Sequence, residues 1–154
     1  MRRIMAGGFA LALSAAATAA QVTPPGRPEP VTVTGTALLL TEALKSAGLT
    51  VDQEPMANLV VIKGDDGSIH PLLSDDASRA LFKDNRLRGR RTEVKGLRRE
   101  GLPFLQVVSF RIEQDGRFRT PEYYCEICTI SVRDPQICPC CQGDMVLRMK
   151  PEPR

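Results

Sequence analysis

Residues 58–84, NLVVIKGDDGSIHPLLSDDASRALFKD, decide the fold class. NLVVIKG is a short apolar run, and DDGS between it and IHPLL is a hairpin signal in which Gly67 is free to take a positive φ. Two strands follow from that. SDDASRALFKD then reads as a short helix. Ser74 caps its first amides, Asp75 and Asp76 favour the positive end of the helix dipole, and Ala77, Ala80 and Leu81 share a face.

Working outward, VTVTGTALL (31–39) alternates β-branched residues as a strand, and TEALKSAG (41–48) fits a helical insertion capped by Thr41 and stopped at Gly48. On the other side, RRTEVKGLRREGLPFLQVVSFRIEQDGRF (90–118) reads as a long hairpin. Glu100-Gly101 forms its turn, and Val108, Phe110 and Ile112 alternate onto one face. The order is strand, helical insertion, strand, strand, helix, strand, strand. With the strands VTVTG and GRRTEVKG it resembles the OB-fold, a five-stranded Greek-key barrel with a helix between its third and fourth strands. The resemblance implies a mainly β chain, with a small five-stranded OB-like barrel over residues 31–118 and one or two short helices. Another small β-barrel, or an α+β sheet with one covering helix, is the alternative.

Residues 1–20 read as a secretory signal peptide. Arg2 and Arg3 form a positive start, Ile4 to Ala17 is uncharged and rich in small residues, and a small-residue cleavage site ends at Ala19 or Ala20. Export to the periplasm or the extracellular space is expected, by the general or the twin-arginine route, with no stable transmembrane segment after cleavage. QVTPPGRPEP (21–30) is a proline-rich linker, and residues 151–154 form a short tail. The leader takes two of 21 basic residues and none of 18 acidic ones, leaving a formal charge of +1. That balance argues against nucleic acid as a partner.

NRLRGRRTEVKGLRRE (85–100) gathers Arg86, Arg88, Arg90, Arg91, Lys95, Arg98 and Arg99. These are candidate contacts for an anionic envelope ligand or a protein partner. A solvated strand face that blunts a sheet edge is the plainer reading, since stacking aromatics do not interleave with the charge. His70, the one histidine, has no serine or cysteine partner by spacing and reads as a surface residue. GDDG (64–67) lacks the alternating ligands of a calcium loop and reads as a turn. No catalytic constellation is expected.

All five cysteines fall in YYCEICTISVRDPQICPCCQG (123–143), within a cysteine-rich module expected over residues 119–150. Cys125 and Cys128 form one CxxC turn and Cys138 and Cys141 another. Nine residues separate the turns, room for one short hairpin, and Cys140 lies inside the second. Each CxxC folds the backbone so that both thiolates face one ion, and two such turns supply the tetrahedral sulfur set that zinc prefers. Spacing therefore favours zinc, while an exported compartment favours disulfides. Thiol redox or metal transfer through the vicinal Cys140 and Cys141 is the third reading. Met145 and Met149 read as packing residues on a strand. Pro139 favours the tight second turn and Gly143 relieves crowding after it.

The segment resembles a zinc-ribbon or rubredoxin-type knuckle pair. EYYCEIC and PQICPCCQGDMVL also resemble the small heavy-metal-binding domain of bacterial metal-efflux proteins, with Tyr123, Cys125, Pro135, Cys138, Pro139, Cys141, Met145 and Leu147 in comparable places. Cys128 and Asp144 depart from that family. The chain as a whole resembles exported proteins of planctomycete-type bacteria that join a similar barrel to such a tail. The combined expectation is an exported, non-catalytic binding or structural protein with a four-cysteine zinc site. The alternatives are an envelope protein that captures or passes zinc or copper, and a thiol–disulfide oxidoreductase.

Overall fold

The computed structural model describes residues 27–151. The expected signal peptide and most of the linker lie outside the described residues. The linker's last two residues, Glu29 and Pro30, already belong to the first strand, where Pro30 sits opposite Leu97. The second neighbouring strand pairs only from Gly35 onward, so Pro30 occupies a locally unpaired edge, where a missing amide hydrogen is tolerated.

The chain is mainly β, as expected, with two short α-helices and two single 3-10 turns among the described residues. Strands β1 (Glu29–Leu39), β2 (Val60–Gly64), β3 (Ile69–Pro71), β4 (Arg91–Arg98), β5 (Gln106–Gln114) and β6 (Arg117–Arg119) form an antiparallel sheet of order β3-β2-β1-β4-β5-β6. Helix α1 (Leu40–Ser46) lies between β1 and β2, and α2 (Arg79–Lys83) between β3 and β4. The order of elements is the expected one, but a closed five-stranded barrel is not formed. The two flanks of the sheet touch at a single parallel bridge, Leu72 to Leu105, where the Leu105 amide donates to Pro71 O at 2.7 Å and the Leu73 amide to Leu105 O at 2.9 Å. Two features limit closure. Strand β3 is three residues long and ends in a proline that has no amide to donate, and β6 occupies the outer edge of β5 from Ile112 to Gln114.

Helix starts differ from the expectation. Thr41 does not cap α1; the Leu39 amide donates to the Glu42 carboxylate at 3.0 Å instead. The helix does stop at Gly48, whose φ of +80° lets the Leu49 amide reach back to Leu44 O. At α2 the N-cap position is Ser78 rather than Ser74 and carries no side-chain cap bond; Asp75 Oδ1 accepts from the Ala77 and Ser78 amides at 3.1 and 3.0 Å in the turn that leads into the helix. The DDGS turn forms as expected, with Gly67 at φ +82° joining β2 to β3.

In β5 the expected alternation breaks. Val107, Phe110 and Ile112 are buried, while Val108 is 55% exposed. The register against β4 slips between Lys95 and Gly96, so that Gly96 pairs with Val107 and the extra residue, Val108, turns outward. Gly96 is required there, because an added Cβ would lie 2.7 Å from Gln106 O.

Three more strands, β7 (Pro121–Cys125), β8 (Ile130–Val132) and β9 (Val146–Met149), form a second antiparallel sheet of order β8-β7-β9. This sheet shares the main core. Tyr123, on β7, is 1% exposed and packs in one cluster with Ile62, Leu72, Leu81, Leu87 and Ile112, flanked by Val132, Met145 and Leu147. Two polar contacts tie it further: Tyr123 Oη donates to Asp84 Oδ2 at 2.6 Å, and Lys83 Nζ donates to Asp134 Oδ2 at 2.9 Å.

Candidate metal centre

Cys125 is the last residue of β7, and the turn after it leads straight into β8, where Ile130 pairs back with Cys125. Within that turn the Cys128 amide donates to Cys125 Sγ at 3.4 Å and the Thr129 amide to Cys125 O at 2.8 Å. Thr129 has a φ of +55°. The second turn repeats this geometry from a different sequence. The Gln142 amide donates to Cys138 O at 3.0 Å, and Gln142 has a φ of +60°. The residue relieving each turn is thus the one directly after its second cysteine. Gly143, expected to relieve crowding after the second turn, has a carbonyl that accepts from the Cys138 amide at 2.9 Å. Left-handed backbone is costly for a β-branched residue such as Thr129, so the first turn carries local strain.

The Sγ atoms of Cys125, Cys128, Cys138 and Cys141 all lie within 4.8 Å of one another, and Cys125 and Cys141 are 3.5 Å apart. A tetrahedron of sulfurs about 2.3 Å from a central zinc has edges of about 3.8 Å. A disulfide needs about 2.05 Å, so the cluster has the spacing of ligands around an ion. Cys125 and Cys138 are buried, and Cys128 and Cys141 lie toward the surface. These four, the same four that the spacing singled out, can hold a metal ion.

The electrostatics suit a cation. The Cys141 amide, opposed by burial and joined by the Cys140 amide, pulls the Cys138 thiol down to about 7. The Cys140 thiol, then burial and the other three cluster thiols, push Cys128 up. Cys141 is pulled down by the Gly143 amide but raised on balance, with the Cys125 and Cys138 thiols among the causes. Four thiols this close cannot all ionise without a positive charge between them. Cys140 is exposed and stands outside the four-sulfur set. Met145 packs against the core, as expected of a structural residue.

The basic run at 85–100 is largely engaged within the chain. Arg86 grips Asp84 through Nε and Nη2, Arg88 donates to Leu81 O and Phe82 O, and Arg90 donates to Glu113 O at 3.2 Å. Arg91 forms a two-bond fork on Asp65, and Arg99 holds Gln106 Oε1. Lys95 lies opposite the β5 bulge, and Arg98 lines a groove with His70 and Ser68. His70 is half-buried, its Nε2 2.8 Å from Ser68 Oγ, which itself donates to Asp66 Oδ1 at 2.6 Å. That hydroxyl is committed to a carboxylate and the three side chains stabilise the turn.

Sequence reasoning missed Asp84 and the role of Tyr123. Asp84 is held down to about 2, chiefly by the Arg86 guanidinium against the cost of burial, with Tyr123 adding a hydrogen bond. Burial, then Asp84 itself, raises Tyr123. A tyrosine two residues before a CxxC motif was the available signal. No protein-family model, curated protein or solved structure matches this chain.

Proposed function

We propose that the chain is an exported, non-catalytic binding or structural protein whose second sheet is organised by a structural zinc ion on Cys125, Cys128, Cys138 and Cys141. The observation that carries this reading is the pair of equivalent turns that converge four sulfurs within 4.8 Å. Zinc is redox-inert, has no geometric preference of its own and is satisfied by four thiolates, so a filled sulfur tetrahedron leaves no position for a reacting water. The second sheet has only three strands, and a metal supplies the stability that so small a sheet lacks on its own. The leader-like residues 1–20 support export. The strand order, with α2 between β3 and β4, supports the OB-like reading of the first sheet.

A second reading is favoured by Cys140, an exposed thiol next in sequence to Cys141 and foremost among the influences that raise Cys128. A fifth thiol there suits a protein that captures or hands on zinc or copper by ligand exchange. Metal analysis with thiol titration of protein taken from its native compartment separates the two. One tightly held zinc and four unreactive thiols support the structural role, and substoichiometric, readily exchanged metal supports handling. Absence of metal with two disulfides refutes both.

A further inference from the structure

We propose that the seam between the two sheets holds an anion site, built by Arg90, Arg119 and Arg148, for a small molecule bearing a phosphate or carboxylate group. These three residues are far apart in sequence and line one groove of about 500 Å³ together with Gln114, Leu147 and Met149. No carboxylate lines it. Arg119, on β6, lines the groove, and its Nε is closed off from water and meets no hydrogen-bond partner, the one buried side-chain nitrogen or oxygen among the described residues left so. Such a group costs stability unless something compensates it. Arg90 donates to a backbone carbonyl, Glu113 O, which does not neutralise it.

Arg148, on β9, is held from behind. Its Nε donates to Glu122 Oε1 at 2.9 Å, and its guanidinium carbon lies 3.2 Å from the centre of the Tyr124 ring. This fixes the head group at the groove without a carboxylate in front of it. Three arginines line one groove against the single carboxylate of Glu122, which leaves a net positive charge there. The planar fork of N–H donors matches the oxygens of phosphate and carboxylate groups. Leu147 and Met149 add an apolar wall, which suits an organic body attached to the anionic head. The site differs from the run at residues 85–100, of which it takes only Arg90.

The test is titration of the purified, metal-loaded chain with inorganic phosphate and, separately, with acetate, read by backbone amide shifts and by melting temperature. Saturable shifts confined to Gln114, Arg119 and Leu147–Met149 are expected, and the tighter of the two anions assigns the head group. Arg119→Gln weakens binding about tenfold or more, and Arg90→Gln does likewise. Arg98→Gln, an equal loss of charge elsewhere, changes binding less than about twofold. In anion-free buffer Arg119→Gln melts no lower than the parent chain. Shifts that do not saturate, equal weakening by Arg98→Gln, or an Arg119→Gln chain that melts lower while binding phosphate as before, would overturn the proposal.

Discussion

Tyr123 Oη donates a 2.6 Å hydrogen bond to Asp84 Oδ2, joining the strand that ends in Cys125 to the segment that follows α2. The cysteine cluster is therefore anchored in the main core, two residues from a buried aromatic ring. Tyr123→Phe keeps the ring and removes one hydrogen bond to a charged acceptor, and costs about 1.5–3 kcal/mol. Tyr123→Ala also empties the core, at about 3–5 kcal/mol. Urea unfolding of the metal-loaded chain measures both. Equal losses for the two variants would mean that the ring contributes nothing beyond its hydroxyl.

Acid acts through the same pair. Asp84 is depressed from an ordinary value of 3.8 to about 2, so the unfolded chain takes up its proton first. The stability it contributes is full above about pH 4 and is lost as pH falls through about 2, an effect of about 2 kcal/mol. Asp84→Asn abolishes this part of the acid dependence. A denaturation series between pH 5 and 2 checks it, and parallel curves for parent and variant would contradict it.

Removing the metal with a chelator is expected to loosen β7, β8 and β9 while leaving the pairs β1–β2 and β1–β4 in place. Hydrogen exchange of the amides in the two sheets reads this directly. Loss of protection in both sheets together would show instead that they unfold as one unit.

Thr129 carries a β-branched side chain at φ +55°. Thr129→Asn places a residue that tolerates this conformation, and is expected to raise the metal-loaded chain's stability by about 0.5–1 kcal/mol. Gln142→Asn acts in the same direction and less strongly, because glutamine is not β-branched. Thermal melts of the two variants test the ordering. A Thr129→Asn chain that melts lower would mean that the threonine side chain makes a contact worth more than the strain.

Much of this architecture was legible in the sequence, because local chemistry set it. Gly67 marked the β2–β3 turn, Gly48 the end of α1, and the two CxxC spacings named the four converging sulfurs. What escaped depended on pairing between distant residues. Val108 alternates correctly with Phe110 and Ile112 in sequence, but the slip at Gly96 that turns it outward exists only once β4 and β5 are paired. The arginines at 85–100 looked like one basic face, yet Arg91 finds Asp65 and Arg90 finds Glu113 O across the fold. Barrel closure is a matter of the same kind: that the flanks of the sheet meet at the Leu72–Leu105 bridge is visible only once the strands are paired.

The central claim is a filled four-sulfur zinc centre, and X-ray absorption at the zinc edge on protein isolated without added metal tests it most directly. The proposed zinc site predicts four sulfur neighbours at about 2.3 Å and no nitrogen or oxygen, unchanged in Cys140→Ser and reduced in Cys138→Ser. Nitrogen or oxygen in place of a sulfur, or a metal-free chain with sulfur pairs at about 2.05 Å, would contradict it.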